Sequence, residues 1–239
     1  MDLISRLKSE LYKEYHFWTE QRLGWKALAD PFAMPKYLLK RYLPSNPVII
    51  DCGANSGADS IELARIFPRG VIHSIEAVPD ISLLLKDNTK KYKNISCHEL
   101  ALSAVSGKAK MYISSGDSDA SSSLLQPKDH LEDHPTVFFK NEVEVLTLTL
   151  DDWAERNEIP KVDFLWLDMQ GGEFEMLRAS KRIFDTVKVI HTEVSLKETY
   201  ENVPLYSEFR LWFRERGFEV VKEAIPEGTD MGNVLFVRQ

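Results

Sequence analysis

Between Val48 and Val194 the chain alternates short β-branched runs with segments of helical period. Val48–Asp51, Val71–Ile75, Ile95–Leu100, Val162–Asp168 and Val187–Val194 read as strands, because each is short, apolar and bounded by turn residues. Ser60–Phe67, Ile81–Tyr92, Glu173–Phe184 and Tyr206–Arg216 repeat their apolar residues at helical spacing. Strand, crossover helix and strand in succession make parallel pairs. Phe218–Glu223 and Asn233–Val237 read as two final strands. The link between them, "AIPEGTDMG", is too short for a helical crossover, so these two are expected to pair antiparallel. "GKAKMYI" and "VEVLTLTL" read as further strands, and "DDWAERN" as a short helix. The pattern predicts an α/β, doubly wound, mostly parallel sheet.

Two regions break the alternation. Residues 1–46 are helical in pattern, with Leu3, Leu7, Leu11, Tyr15 and Trp18 on one face and a second short helix in "MPKYLLKRYL", opened by Pro35. We read them as a helical N-terminal extension packed on a single domain over 47–239. A cap over the site or a dimer contact are its alternatives. "SSGDSDASSSLLQPKDHLEDHP" is polar and long for a loop in a compact domain, so Ser114–Pro135 reads as a lid. His130 and His134 lie in it and would reach a substrate only on closure.

The chain has 239 residues and a net charge of −7. That balance argues against nucleic acid as the main partner. No apolar run approaches the ~18 residues of a membrane span, and the charged, amphipathic first residues lead us to expect no signal peptide. The two cysteines, Cys52 and Cys97, should lie two strand spacings apart, ~9–10 Å, too far for a disulfide. Free thiols suit a cytoplasmic protein.

The chemistry concentrates in "VIIDCGANSGADS". In open α/β sheets ligands sit beyond the carboxyl ends of the strands, at the switch point beside the first one. Asp51–Gly57 lies there, and its glycines let the backbone turn tightly against a ligand. The pattern is D-x-G-x-x-x-G, without the third glycine of a dinucleotide turn or the lysine of a P-loop. A pyrophosphate would be repelled by Asp51, whereas an ammonium beside a sulfonium would be attracted. Glu76 ends the second strand, where a carboxylate can accept from both hydroxyls of a ribose. Asp51 and Glu76 together point to S-adenosyl-L-methionine.

These segments resemble the FkbM-type S-adenosylmethionine-dependent methyltransferases. The resemblance runs from about Val48 to the C-terminus through "VIIDCGANSGADS", "SIEAVP", "ELALSAVSGKAKMYI", "SSSLL", "VEVLTLTLDDW" and "VDFLWLDMQGGEFEMLRAS". It implies a class I, Rossmann-like seven-stranded sheet with an antiparallel C-terminal strand. It also implies O-methylation of a hydroxyl on a small natural product or sugar. By the same resemblance, Asp51, Gly53, Ala54 and Asn55 line the methionine part of the cofactor. Asp59 and Ser60 come next, at the helix start. Glu76 takes the ribose, with Ala77 or Val78 against the adenine, and Glu99 to Ala101 contact the adenine edge or face. Asp168 and Met169 border the methyl end.

Asp168 and Glu193 end adjacent strands and are the candidate catalytic pair, either of them as general base. Glu173 opens the next helix, where the macrodipole favours an acid in any case. His191 reads as a core histidine sooner than a base. Gln170 stands where that last motif usually has an acid, and a neutral amide can act there only by hydrogen bonding. No metal is expected, since no clustered ligand pair accompanies these acids. A homodimer stays open. The rival readings are a nicotinamide-dependent oxidoreductase and a non-catalytic cofactor-binding module.

Overall fold

The computed structural model describes residues 30–116, 121–126, 136–198, 200 and 203–239. The expected helical face from Leu3 to Trp18, and His130 and His134, lie outside these residues. The main sheet holds β1 (Val48–Cys52), β2 (Val71–Ile75), β3 (Ile95–His98), β7 (Phe164–Leu167), β8 (Val189–Ser195), β9 (Phe218–Ala224) and β10 (Met231–Arg238). Its seven strands run in the order β3-β2-β1-β7-β8-β10-β9. The pairs β1–β2, β2–β3, β1–β7 and β7–β8 are parallel, and β10 is antiparallel to both neighbours. The short "AIPEGTDMG" link dictates that last reversal. β1 sits where the order reverses, which opens a crevice beyond its carboxyl end.

Side-chain alternation along each strand feeds two cores. Ile50, Leu165, Leu167, Ile190 and Phe236 pack beneath α3 (Leu150–Arg156), α4 (Glu173–Ala179) and α5 (Tyr206–Arg214). Ile49, Ile72, Phe164, Trp166 and Val189 pack beneath α1 (Ala58–Ile66) and the 3₁₀ helix Lys36–Arg41. That 3₁₀ helix is locked by Lys36, a buried cation 2.5 Å from Asp59 and 2.9 Å from Glu62, with its Nζ 4.5 Å from the Trp166 ring centre. The described end of the N-terminal extension is thus a lead-in packed on the sheet. Among the described residues no helix is long and apolar enough to cross a membrane.

One detail differs from expectation. The run Ile95–Leu100 is not one strand: β3 stops at His98, and β4 (Ala101–Leu102) leaves the main sheet to pair with β6 (Val137–Leu148). β6 also pairs antiparallel with β5 (Gly107–Gly116), giving a second, three-stranded sheet. Part of the segment read as a lid is described. Ser123 pairs with Tyr112 of β5 through backbone bonds of 2.8 and 3.1 Å, so Ser121–Gln126 is a strap fastened to the second sheet. Cys52 and Cys97 are free thiols on strands separated by β2.

A histidine pair lies between β2 and β3. His73 Nδ1 and His98 Nε2 are 3.1 Å apart, and both rings meet Trp153 edge-on. Burial, and then His98 beside it, push the His73 pKa down to about 4. The unfolded residue titrates near 6.5, so this site is neutral in the fold and withdraws stability as pH falls from about 6.5 toward 4. His73→Asn is expected to narrow the difference in unfolding free energy between pH 7.5 and pH 5 by about 1–2 kcal/mol. Urea titrations at the two pH values measure it, and an unchanged difference would clear His73 of the acid sensitivity.

Candidate active site

β1 and β7 end side by side, and the turns beyond them touch. Gly53 has a φ of 77°, and its N–H donates to the Ile75 carbonyl at 3.0 Å. A Cβ built there would stand 1.8 Å from the Asp168 carbonyl oxygen. Only a residue without a side chain lets the two turns lie this close. Gly57, with φ 90°, begins α1, and a Cβ on it would meet Leu85 and Thr89 of α2 (Pro79–Thr89) at 2.7 and 2.9 Å.

Glu76 staples this turn. Its Oε2 accepts the Asn55 N–H at 3.0 Å, and its Oε1 accepts the Val78 N–H at 2.8 Å. Asn55 is itself left-handed, with φ 46°, and its Oδ1 accepts the Ser56 N–H at 2.5 Å. Each Glu76 oxygen keeps a further lone pair for a ligand hydroxyl. Burial holds its carboxyl above the usual range, and the backbone donors draw it back.

Gly53, Asn55, Glu76, Ala77, Val78, Ile81, Leu100, Ala101, Met111, Ser122, Leu124, Asp168 and Met169 line one pocket, together with Cys52, Ile75, Leu102 and Gly172. It encloses about 620 Å³, its open mouth included. Its charged side chains are Glu76 and Asp168, and among the described residues no lysine or arginine lines it.

The second turn, Asp168–Gly172, is stapled in the same way. Glu173 opens α4, and its Oε1 accepts the Met169 N–H at 2.6 Å while Oε2 accepts the Gly171 N–H at 3.0 Å. Burial lifts its pKa to about 7 against the pull of those donors. Gln170 sits between them with a φ of 55°. Its Nε2 donates to Asp168 Oδ1 at 2.8 Å and to Glu193 Oε2 at 3.0 Å. The two carboxyls sit on either side of that one donor, and burial raises both, Glu193 the further. Water reaches Asp168 at the pocket mouth, yet the protein around its carboxyl strips enough solvent to hold it above the usual range. Burial, then Asp168 and Glu173, push Glu193 well above that range. Glu193 lines a second pocket of about 320 Å³ with Gln170, Ser195, Tyr200, Val203 and Phe209.

Gly53, Asn55, Glu76, Ala77, Ala101, Asp168 and Met169 are therefore brought together as expected. Five other candidates are placed differently. Asp51 is buried on the opposite face of β1 from Cys52, because side chains alternate along a strand, and accepts a hydrogen bond from the Ser60 hydroxyl. Burial and the nearby Asp59 raise its pKa to about 7, with Ser60 and Lys36 opposing. Asp59 faces Lys36 and Ser60 faces Asp51, both behind the turn. Ala54 is buried, with its N–H on the Ile75 carbonyl at 2.9 Å. Glu99 falls at the break between β3 and β4 and pairs with Lys86 at 2.8 Å outside the pocket. His191 stacks on Trp166 at 3.6 Å as a core ring. The pattern gave no signal for Tyr200, Met111 or Lys36, while Ser122–Leu124 lay in the Ser-rich segment without an assigned role.

The strand order, the acid–glycine turn and the carboxylate-walled pocket define a class I methyltransferase. The chain belongs to the methyltransferase FkbM domain family, whose profile matches residues 51–220. It is similar to 2-O-methyltransferase NoeI of Sinorhizobium fredii (strain NBRC 101917 / NGR234), 31% identical over 196 residues, covering 80% of this chain and 79% of that one. Methyltransferase sdnD of Sordaria araneosa is 22% identical over 223 residues, covering 82% and 83% of the two chains. Among solved structures, methyltransferase FkbM from Methylobacillus flagellatus KT shares the fold with a TM-score of 0.52 at 12% identity, over 81% of this chain and 44% of that one. Membership of this methyltransferase family makes S-adenosylmethionine the cofactor.

Gly53→Ala is the most direct test of the touching turns. Its Cβ would overlap the Asp168 carbonyl in a backbone region that costs alanine about 1–2 kcal/mol by itself. The variant is expected to melt several degrees lower and to lose measurable S-adenosylhomocysteine binding by calorimetry. Parental affinity would show that the turns can separate without consequence.

Proposed function

We propose that this chain transfers the methyl group of S-adenosylmethionine to a hydroxyl of a small natural product or sugar. The observation that carries this reading is the Asp168–Glu193 carboxyl pair, held at the boundary between two pockets. Asp168 lines the larger pocket, Glu193 the smaller, and Gln170 joins them. The name of the NoeI relative, a 2-O-methyltransferase, supports a hydroxyl acceptor.

In this reading the larger pocket takes the cofactor. Glu76 accepts from the ribose diol with its remaining lone pairs. Ala77, Val78, Ile81 and Ala101 flank the adenine. Gly53, Asn55, Asp168 and Met169 face the methionine end. Asp51, Asp59 and Ser60 serve from beneath the turn, and Glu99 supports from the surface. Two carboxylates, with no basic lining among the described residues, fit a positive sulfonium and disfavour a dinucleotide pyrophosphate, which speaks against the oxidoreductase reading. Bound there, S-adenosylmethionine supplies a methyl group activated by its positive sulfur for in-line displacement. The protein holds the acceptor in the smaller pocket at the right angle. Asp168, the ionised member of the pair, takes the acceptor's hydroxyl proton as the oxygen attacks. Glu193, held the further above its usual range, keeps its proton and positions the acceptor from the smaller pocket. We assign the methyltransferase unit to 47–239 and the N-terminal extension to 1–46, in keeping with the family match from residue 51. The free thiols fit a cytoplasmic setting.

The cofactor assignment is tested by Glu76→Ala. It is expected to weaken S-adenosylhomocysteine binding by about 1–3 kcal/mol, the range for removing hydrogen bonds to a charged group. Calorimetry that finds the parental constant would remove Glu76 from the ribose.

The chemistry is tested by Asp168→Asn and Glu193→Gln, assayed with an acceptor found by screening sugars and polyketide alcohols against labelled cofactor. General-base help is worth roughly 100- to 10,000-fold. Asp168→Asn is expected to lose turnover in that range while keeping cofactor affinity. Glu193→Gln is expected mainly to raise the acceptor's KM. Parental rates in both variants would leave alignment alone to carry the step.

A further inference from the structure

The carboxyl pair does not hold itself. We propose that Gln170 is the positioning residue of the reaction: its amide nitrogen spans Asp168 and Glu193, and its two oxygens tie that span to the strap over the cofactor pocket. This rests on the reading of Asp168 as the base.

Three sets of contacts converge on Gln170. The side-chain nitrogen reaches both carboxyls, at 2.8 and 3.0 Å. Its partners also fix which end of the amide points where, because two carboxyl oxygens can only accept. The side-chain oxygen therefore faces the other way and accepts from the Tyr200 hydroxyl at 3.1 Å, a hydroxyl shared with the Ser121 carbonyl at 3.2 Å. The backbone oxygen accepts from the Ser123 hydroxyl at 2.7 Å. Ser121 and Ser123 belong to the strap, whose Ser122 and Leu124 stand on the cofactor pocket wall. Cofactor wall, strap and carboxyl pair thus meet at one residue.

The backbone points the same way. A non-glycine residue at φ 55° is disfavoured and persists where its surroundings over-determine it. Here Glu173 holds the N–H groups on both sides, at Met169 and Gly171, while Ser123 holds the carbonyl. The turn aims a side chain that needs both of its hydrogen-bonding ends.

An amide suits this place for an electrostatic reason. The groups whose charge reaches the pair are Asp51 in β1 and Asp59 in α1 from behind the turn, Glu76 after β2, Glu173 in α4 and Tyr200, all neutral or negative. An acid at this point, as the family motif usually has, would add a third carboxyl in contact with the other two. The neutral donor instead stabilises the ionised form and draws both carboxyls down from where burial holds them. Without it, Asp168 would lose its charge at a higher pH, and the strap would no longer be linked to the pair.

The test is Gln170→Leu in the full chain, similar in size but unable to hydrogen-bond, with Tyr200→Phe as the milder variant. The pH dependence of kcat is measured with the acceptor identified by the sugar and polyketide screen. The Asp168 and Glu193 carboxyl carbons are followed by NMR titration without any acceptor. In Gln170→Leu the acid limb of kcat is expected to move up by about half a pH unit or more, with kcat at pH 7 falling about tenfold. The NMR midpoints should rise with it, and the KM for S-adenosylmethionine should stay within about twofold of the parent. Tyr200→Phe is expected to shift the limb the same way by less. A limb and midpoints that superimpose on the parent's overturn the proposal, even if kcat falls, since loss of structure alone lowers kcat without moving them. Should Gln170→Leu fail to fold, an unmoved limb in Tyr200→Phe overturns it instead. Asp168→Asn separates this inference from the one beneath it. If that variant keeps parental turnover while Gln170→Leu still moves the NMR midpoints, the base assignment fails and the positioning role stands. If Asp168→Asn abolishes turnover and Gln170→Leu moves nothing, the positioning role fails alone.

Discussion

The site depends on the approach of two turns at Gly53 and Asp168, closer than any side chain would allow. β1 and β7 are adjacent parallel strands, so their carboxyl ends emerge together at the switch point of the sheet. Backbone clearance then decides how the two turns pack. With glycine at 53 the first turn folds flat against the second, and one pocket wall is shared between them. Each turn is then fixed by a buried glutamate that accepts two backbone N–H groups, Glu76 for the first and Glu173 for the second. The wall is therefore built before a ligand arrives, which is the arrangement that positioning catalysis needs.

The same construction concentrates acid. Asp51, Glu76, Asp168, Glu173 and Glu193 all gather at the strand ends, and burial raises every one of them. Crowded carboxyls are costly in a desolvated site unless a cation or a proton relieves them. Lys36 relieves the rear of the site, where it pairs with Asp59 and lowers Asp51. A sulfonium would relieve the front. Gln170, which donates to both Asp168 and Glu193, relieves the remaining corner.

Much of this was legible along the chain. The alternation of β-branched runs and helical segments gave the parallel order, and a link too short for a helix gave the antiparallel end. Glu76, Asn55 and Asp168 came from a rule of position, that ligands meet α/β sheets at strand ends. Asp51 shows where that rule stops. It obeys the spacing, yet a shift of one residue along a strand moves a side chain to the other face, so Cys52 meets the pocket and Asp51 lies behind it. Glu99 fails for another reason: the chain leaves the main sheet between His98 and Ala101, and local propensity does not tell which sheet a strand will join.

What the sequence determined by itself is what local chemistry and periodicity encode: the element types, their parallel succession, the bare glycine turn and the acids that end the strands. What only the tertiary structure decided is which groups meet across distance. Lys36 reaches Asp59, Glu62 and Trp166 from a separate segment. Tyr200 and Ser123 converge on Gln170 from two connecting segments whose composition carries no mark of that contact. Such contacts are set by how crossovers and straps fold back over the sheet edge, a property of the closed path of the chain that no window along the sequence contains.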